Sequence, residues 1–251
     1  MTSTRFCIVG ALCLLPAQLA LAQEERSPPS LKLRGGATLT NNGISLLPAF
    51  SLGDPAITYD LSIGRETLRF EPQFRFALSG KPWSFSFWGR YELLRAGRFA
   101  VNVGANPSVV FKSARSNRGE RSSEVIVAQR RVATEVAPSY ALTKDVSVGM
   151  YYMFSRGLDA GVPPQTTHFI TVNTSISNIE VTEHFRLRVH PQFYFLRMAD
   201  REGYYLTSNS SLHWTDVPVS IESTINWPIT TTITAIKPFD WNLGVRYAFG
   251  R

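Results

Sequence analysis

Past residue 13 the sequence contains no cysteine, because Cys7 and Cys13 are its only two. A disulfide framework and a thiolate metal site are therefore excluded from the rest of the chain. Long apolar runs are missing as well: no stretch after Gln23 approaches the roughly 18 residues of a membrane-spanning helix. Charge is sparse at 18% of residues, and histidine occurs four times with no cluster at metal-ligand spacing. No glycine-rich phosphate cradle occurs, and no cofactor is expected. The formal charge of +7 is dispersed along the chain, which argues against nucleic acid as a partner.

What is present begins with a leader. Arg5 precedes the apolar run Phe6 to Leu15, and Ala20-Leu21-Ala22 stands before Gln23, the layout of a secretory signal peptide with a small-residue cleavage site. About ten apolar residues closed by Pro16 are too few to span a bilayer as a helix. The expected organisation is a signal peptide over 1–22, a segment over 23–43 leading into the first strand, and one domain over 44–251.

Within that domain the hydrophobic period is two. Ile57, Tyr59, Leu61 and Ile63 alternate with Thr58, Asp60 and Ser62, and Leu68, Phe70, Phe74, Phe76 and Leu78 alternate with Arg69, Glu71, Gln73 and Arg75. Such alternation makes strands with one greasy and one polar face. The same pattern recurs through Trp83 to Tyr91, Phe99 to Phe111, Ile126 to Tyr140, Val146 to Phe154, Thr167 to Ser177, Phe185 to Phe195, Tyr204 to Trp214, Val219 to Trp227 and Phe239 to Phe249. With Ile44 to Leu52 at the front the count is twelve, and the longest connections then fall on the odd side. Single-chain outer-membrane barrels place long loops outside and short turns in the periplasm. A 14-strand count, with Asn42-Gly43 turning a hairpin between Leu31 to Thr40 and Ile44 to Leu52 and with Ile229 to Ile236 as another strand, is the alternative.

Alternation alone does not separate a soluble barrel from a membrane barrel. The low charge does favour the membrane, as do the Trp and Tyr residues near strand ends, namely Trp83, Tyr91, Tyr152, Tyr204, Trp214, Trp227 and Trp241. The fold expected is all-β, a single antiparallel transmembrane β-barrel of about 12 strands. The closing strand, with Trp241, Leu243, Val245, Tyr247 and Phe249, resembles the C-terminal assembly signal of outer-membrane barrels, although Gly250 and Arg251 follow the last aromatic. The stretches NNGISLLPAFSLGDPA (Asn41 to Ala56) and FEPQFRFALSGKPWSFSFWGRY (Phe70 to Tyr91) are similar to outer-membrane barrel proteins of the Bacteroidota type. The two resemblances imply a bacterial outer-membrane location with membrane lipid and the barrel assembly machinery as partners, and the arginines of the segment Ser113 to Ser123 add anionic lipopolysaccharide as a further one. Neither resemblance implies an activity.

If the aromatic faces meet lipid, the opposite faces line a lumen. Arg69, Arg75, Arg90, Lys112, Arg186, Arg188 and Arg246 then meet Asp60, Glu71, Glu92, Glu135, Glu222 and Asp240, with Gln73, His190 and Gln192 among them. Such charges should pair into networks that join the walls. The expected function is a structural barrel or a narrow passive pore for small polar or anionic solutes. A lipid hydrolase built on Ser211 and His213, which share a strand face, and a soluble periplasmic binding barrel are the alternatives. The segment Ser113 to Ser123, with Arg115, Arg118 and Arg121, reads as an outer loop. Finally, Pro72, Pro107, Pro138 and Pro191 fall inside expected strands, where local bulges are the expected accommodation.

Overall fold

The computed structural model describes residues 31–250 apart from 46, 119–120, 162–163 and 235–236. The signal-peptide segment lies outside the described residues. Twelve antiparallel strands close into a barrel: β1 (Lys32–Thr40), β2 (Ala56–Gly64), β3 (Leu68–Ala77), β4 (Pro82–Ala96), β5 (Phe99–Arg118), β6 (Arg121–Ala141), β7 (Val146–Gly157), β8 (Thr166–Thr182), β9 (Phe185–Met198), β10 (Arg201–Trp214), β11 (Val219–Thr231) and β12 (Asp240–Gly250). Each strand pairs with its sequence neighbours, and β1 closes the ring on β12 through Arg34↔Gly250 to Thr40↔Gly244. Among the described residues no helix is long and apolar enough to cross a membrane. The closed ladder meets the requirement that backbone groups in hydrocarbon find partners within the protein.

Two ends can be told apart. The turn end carries the start of β1, the finish of β12 and the short connections 65–67, 97–98, 142–145, 183–184 and 215–218. At 97–98 the turn places Gly97 at φ 58°, a left-handed conformation that favours glycine. The loop end carries the other connections, including 41–55, 158–165 and 232–239. Here the segment expected as an outer loop proves to be paired: β5 and β6 stay in register to Arg118↔Arg121. Strands of 20 and 21 residues exceed the roughly 10 that cross a bilayer, so this hairpin projects beyond the wall.

The first strand also differs from expectation. β1 occupies Lys32–Thr40, so the barrel begins inside the segment 23–43 expected to lead into the first strand, and Ile44 to Leu52 belongs to the connection 41–55. That connection folds back on itself through Leu52 N–H to Gly43 O (2.7 Å) and Ser45 N–H to Phe50 O (2.9 Å), with Ile44 bridging Ser51. Pro48 lies in its bend and lacks the N–H a longer ladder would need. Asn41 and Asn42 pin its base to β12: Asn41 Oδ1 accepts from Leu243 N–H (2.8 Å), and Asn42 Nδ2 donates to Asp240 Oδ1 (2.8 Å).

Outward faces are apolar, as the alternation requires. Tyr91, Phe99, Tyr140, Trp214, Tyr247 and Phe249 are exposed toward the turn end, and Tyr152, Tyr204, Trp227 and Trp241 toward the loop end. Trp83 leaves this girdle. The β3–β4 register shifts between Arg75 and Phe76, passing from Arg75↔Ser84 to Phe76↔Pro82, so Trp83 is the extra residue. Its ring lies over the guanidinium of Arg75 (5.6 Å) and against Gly43. The bulge has turned a side chain expected in lipid into the lumen.

The four strand prolines behave differently again. Beside Pro72 the ladder lapses between Asp60↔Gln73 and Ile63↔Phe70, yet resumes in the same register. The same happens beside Pro107, between Ser86↔Ser108 and Gly89↔Ala105. It recurs beside Pro138, between Val136↔Tyr152 and Ser139↔Gly149, and beside Pro191, between Asn173↔Gln192 and Ile176↔Val189. The expected bulges are absent at these sites; bulges sit instead next to Pro82 and Pro228. A side chain repairs two of the gaps. Asn106 Oδ1 accepts from Phe87 N–H (2.7 Å), and the His190 ring is hydrogen bonded to the Thr174 backbone. In both cases the inward residue before the proline takes up a backbone group of the facing strand where the ladder has lapsed.

Candidate functional site: a two-level lumen

The lumen is divided by chemistry. Toward the loop end, Trp88, Ala133, Met153, Phe169, Tyr194, Leu196 and Tyr205 form one buried cluster with Ala49 and Ile233 from the connections 41–55 and 232–239. Tyr194 and Tyr205 stack 4.6 Å apart and are 0% exposed. Each of the twelve strands contributes a buried inward side chain, from Thr38 on β1 through Asn106 on β5 to Asn226 on β11 and Asp240 on β12. The inner face is therefore not uniformly polar: its loop-end half is packed shut, with the connection 41–55 forming part of the plug. Alternation indicates which face a residue occupies, but large apolar residues on the inner face read as interruptions until neighbouring strands bring them together.

The turn-end half is polar and holds most of the expected lumen residues. Glu71 accepts from Arg69 Nε (3.0 Å) and from Arg90 Nη1. On its other side Arg90 donates from Nε (2.6 Å) and Nη2 (3.2 Å) to Glu135, which also accepts the Tyr151 hydroxyl (2.7 Å). This chain joins β3, β4, β6 and β7, and Arg90 lies over the Trp88 ring at 4.7 Å. A second network joins the seam: Arg246 pairs with Asp60 through two bonds of 2.5 and 2.6 Å, donates to Thr38 Oγ1 (3.1 Å) and approaches Glu222 (3.7 Å).

Both networks skip a strand, and in each a glycine makes that possible. Arg90 and Glu135 lie on β4 and β6, opposite Gly104 of the intervening β5. A Cβ on Gly104 would stand 2.8 Å from Glu135 Oε1. Arg246 and Asp60 lie on β12 and β2, with β1 between them, and a Cβ on Gly36 would stand 2.6 Å from Arg246 Cζ. The missing side chains are the channel through which the charged ones meet.

Other expected residues stand apart. Glu92 is held by Arg95, which reaches the inner face because the register shift at Leu93 realigns it with Ala100. Asp240 belongs to the loop end with Asn42, Arg75 takes Trp83, and Lys112 lies exposed on the projecting hairpin. Gln73 and Gln192 face inward without a side-chain hydrogen bond among the described residues. Arg186 is tied to the rim through Thr182 O (2.8 Å) and Glu180 (3.4 Å). Arg188 is exposed in the lumen and makes no ion pair among the described residues. Its cross-strand neighbour Ser211 bonds His213 Nε2 at 2.8 Å. Among the described residues no group bonds His213 Nδ1, so the pair lacks the third member that would orient the imidazole for nucleophilic catalysis. No group of three His, Cys, Asp or Glu side chains able to hold a metal comes together among the described residues.

Sequence reasoning missed three cations at the turn-end mouth, Lys32, Arg34 and Arg95. The first two lie in the segment 23–43 expected to precede the first strand, and the third is on the wrong face until the bulge is counted.

An apolar exterior, a closed ladder and an inner face that is polar in its turn-end half define the class: a single twelve-stranded antiparallel β-barrel of transmembrane architecture. No family model matches the chain, and no curated protein sequence matches it. Among solved structures it is similar to the KdgM porin, with a TM-score of 0.55 at 10% identity over 86% of this chain and 99% of that one. KdgM porin in complex with disordered oligogalacturonate gives 0.53 at 10% identity over 87% and 99%. The NanC porin gives 0.50 at 13% identity over 87% and 99%. At these identities the likeness establishes the fold.

Proposed function

We propose that the protein is a bacterial outer-membrane barrel with its loop end outside, a gated narrow pore for small polar or anionic solutes. The observation that carries this reading is the two-level lumen: a basic, accessible turn-end half beneath an apolar plug made partly by a connection. Every carboxylate in the lower half is engaged, while Arg188 stays free to attract an anion. The porin-type architecture of the similar solved barrels supports it, as does the oligogalacturonate named with one of them. The exterior girdles would sit at the two lipid interfaces. Outer-membrane lipid, the barrel assembly machinery and lipopolysaccharide at the projecting hairpin are partners under the same proposal.

Planar bilayers test it. The wild-type chain should give rare or small conductance, because the plug is closed. Replacing residues 44–51 by a short Gly-Ser run should give frequent steps with anion preference, and Arg188→Glu in that background should reduce the preference. The plug also favours a second reading, a permanently closed structural barrel. Silence of the Gly-Ser variant across many insertions, with folding confirmed by heat-modifiable gel mobility, would establish that reading and overturn the pore.

A further inference from the structure

We infer that the turn-end mouth is a binding site for a multivalent oxyanion of the phosphate class. A concavity of about 390 Å³ opens there against β1 to β4, lined by Lys32, Arg34, Arg65, Arg69 and Arg95 against the two carboxylates Glu66 and Glu92. Both carboxylates are already engaged. Glu66 takes Lys32 at 3.3 Å, and Glu92 takes Arg95 through Nε at 2.7 Å. Arg69 is spent on Glu71. Arg34 and Arg65 remain, exposed and without an ion pair or side-chain hydrogen bond among the described residues.

The backbone holds these two cations at one place. Arg34 lies opposite Ser62, and Lys32 opposite Gly64, the residue before Arg65. At Gly64 the chain turns so tightly that a Cβ would stand 2.2 Å from the Leu68 carbonyl oxygen, and Arg65 N–H closes the turn on that same carbonyl at 2.8 Å. The hydroxyl residues Ser62 and Thr67 lie on the same lining.

With Arg69 held by Glu71, the other four cations against two carboxylates leave a local excess of two, more than one carboxylate ligand neutralises. Guanidinium forks match the oxygens of a tetrahedral oxyanion in paired hydrogen bonds, and a concave positive surface concentrates multivalent anions. Lys32, Arg34, Ser62 and Arg69 sit on inward faces. A free anion entering the mouth therefore fits better than a lipid headgroup outside the wall. This site does not depend on whether the lumen conducts.

The test is calorimetric titration of the detergent-purified chain with sodium pyrophosphate at low salt. Single-site binding is expected in the wild type, weakened at least tenfold in Arg34→Gln/Arg65→Gln. It should be unchanged in Arg197→Gln, which removes a cation at the other end. Arg34→Lys/Arg65→Lys should fall between the wild type and the glutamine pair, since charge survives and the fork does not. Absence of binding in the wild type, equal affinity in the glutamine pair, or equal weakening by Arg197→Gln would overturn the assignment. In nanodiscs, displacement of pyrophosphate by phosphatidylglycerol but not phosphatidylcholine would identify a headgroup as the source of the same chemistry. Undisturbed binding in both would identify a free anion. A barrel that never conducts but binds pyrophosphate in this pattern would refute the pore and leave the site intact.

Discussion

Removing the carboxylate of Glu135 should be among the most damaging single changes in the lumen. Its side chain is 2% exposed and accepts two bonds from Arg90 and one from the Tyr151 hydroxyl. In Glu135→Ala, Arg90 keeps Glu71, so its charge is not stranded, but two charge-assisted bonds disappear and the Tyr151 hydroxyl loses its acceptor. Breaking a buried pair from one side costs about 3–5 kcal/mol, and the surviving Glu71 contact favours the lower figure. With a urea slope of about 1–3 kcal/mol per molar, the midpoint should fall by about 1 M or more. Gly104→Ala offers a second approach: the added methyl would press on Glu135 Oε1 at 2.8 Å and push the carboxylate away from Arg90. Its loss should be smaller than that of Glu135→Ala, and the double variant should lose little beyond Glu135→Ala alone, because both act on one contact. The assay is urea unfolding of the vesicle-inserted barrel, followed by tryptophan fluorescence and by heat-modifiable gel mobility. A Glu135→Ala midpoint within about 0.2 M of wild type, or simple additivity with Gly104→Ala, would refute the network as a stabilising element.

Two further changes probe the wall and the loop end. Asn106→Leu leaves the Phe87 N–H beside Pro107 without its acceptor, which should cost about 1–3 kcal/mol and speed hydrogen exchange at Phe87; unchanged exchange would mean that another group fills the gap. In the connection 158–165, the Arg130 backbone N–H (2.6 Å) and guanidinium hold the Asp159 carboxyl below the usual carboxylate range. Because the folded value is depressed, this tether is in place above the ordinary carboxylate value of about 4 and is lost as pH falls through the lower, folded one. Protection of the Arg130 amide relative to its intrinsic exchange rate should therefore fall at acid pH in the wild type and be low at all pH in Asp159→Asn, and an acid loss of protection that persists in Asp159→Asn would assign it to another group.

The stretch FEPQFRF illustrates what one strand of sequence conveys. Phe70 faces outward and is exposed, while Arg69 and Glu71 face inward and are paired, so the charges belong among the aromatics because consecutive side chains alternate. Pro72 obeys no such local rule. A missing N–H can be absorbed by a bulge or by a local lapse in one ladder, and the choice depends on the neighbouring strand. Trp83 shows the converse, since the bulge beside Pro82 reverses its face.

Period-two alternation and the apolar exterior are local properties, carried by backbone geometry and solvent preference, and the barrel class and eleven of its twelve strands could be read from them. The partners of each charge could not. Arg90 meets Glu135 and Arg246 meets Asp60 across a whole strand, 45 and 186 residues apart in sequence, and each contact depends on a glycine in the strand between. The closed loop end is likewise a product of assembly: Ala49 and Ile233 become buried only when seven inward side chains from β4 and β6 to β10 surround them. Burial is a property of what surrounds a residue. In a barrel, those surroundings come from strands that the chain places far apart.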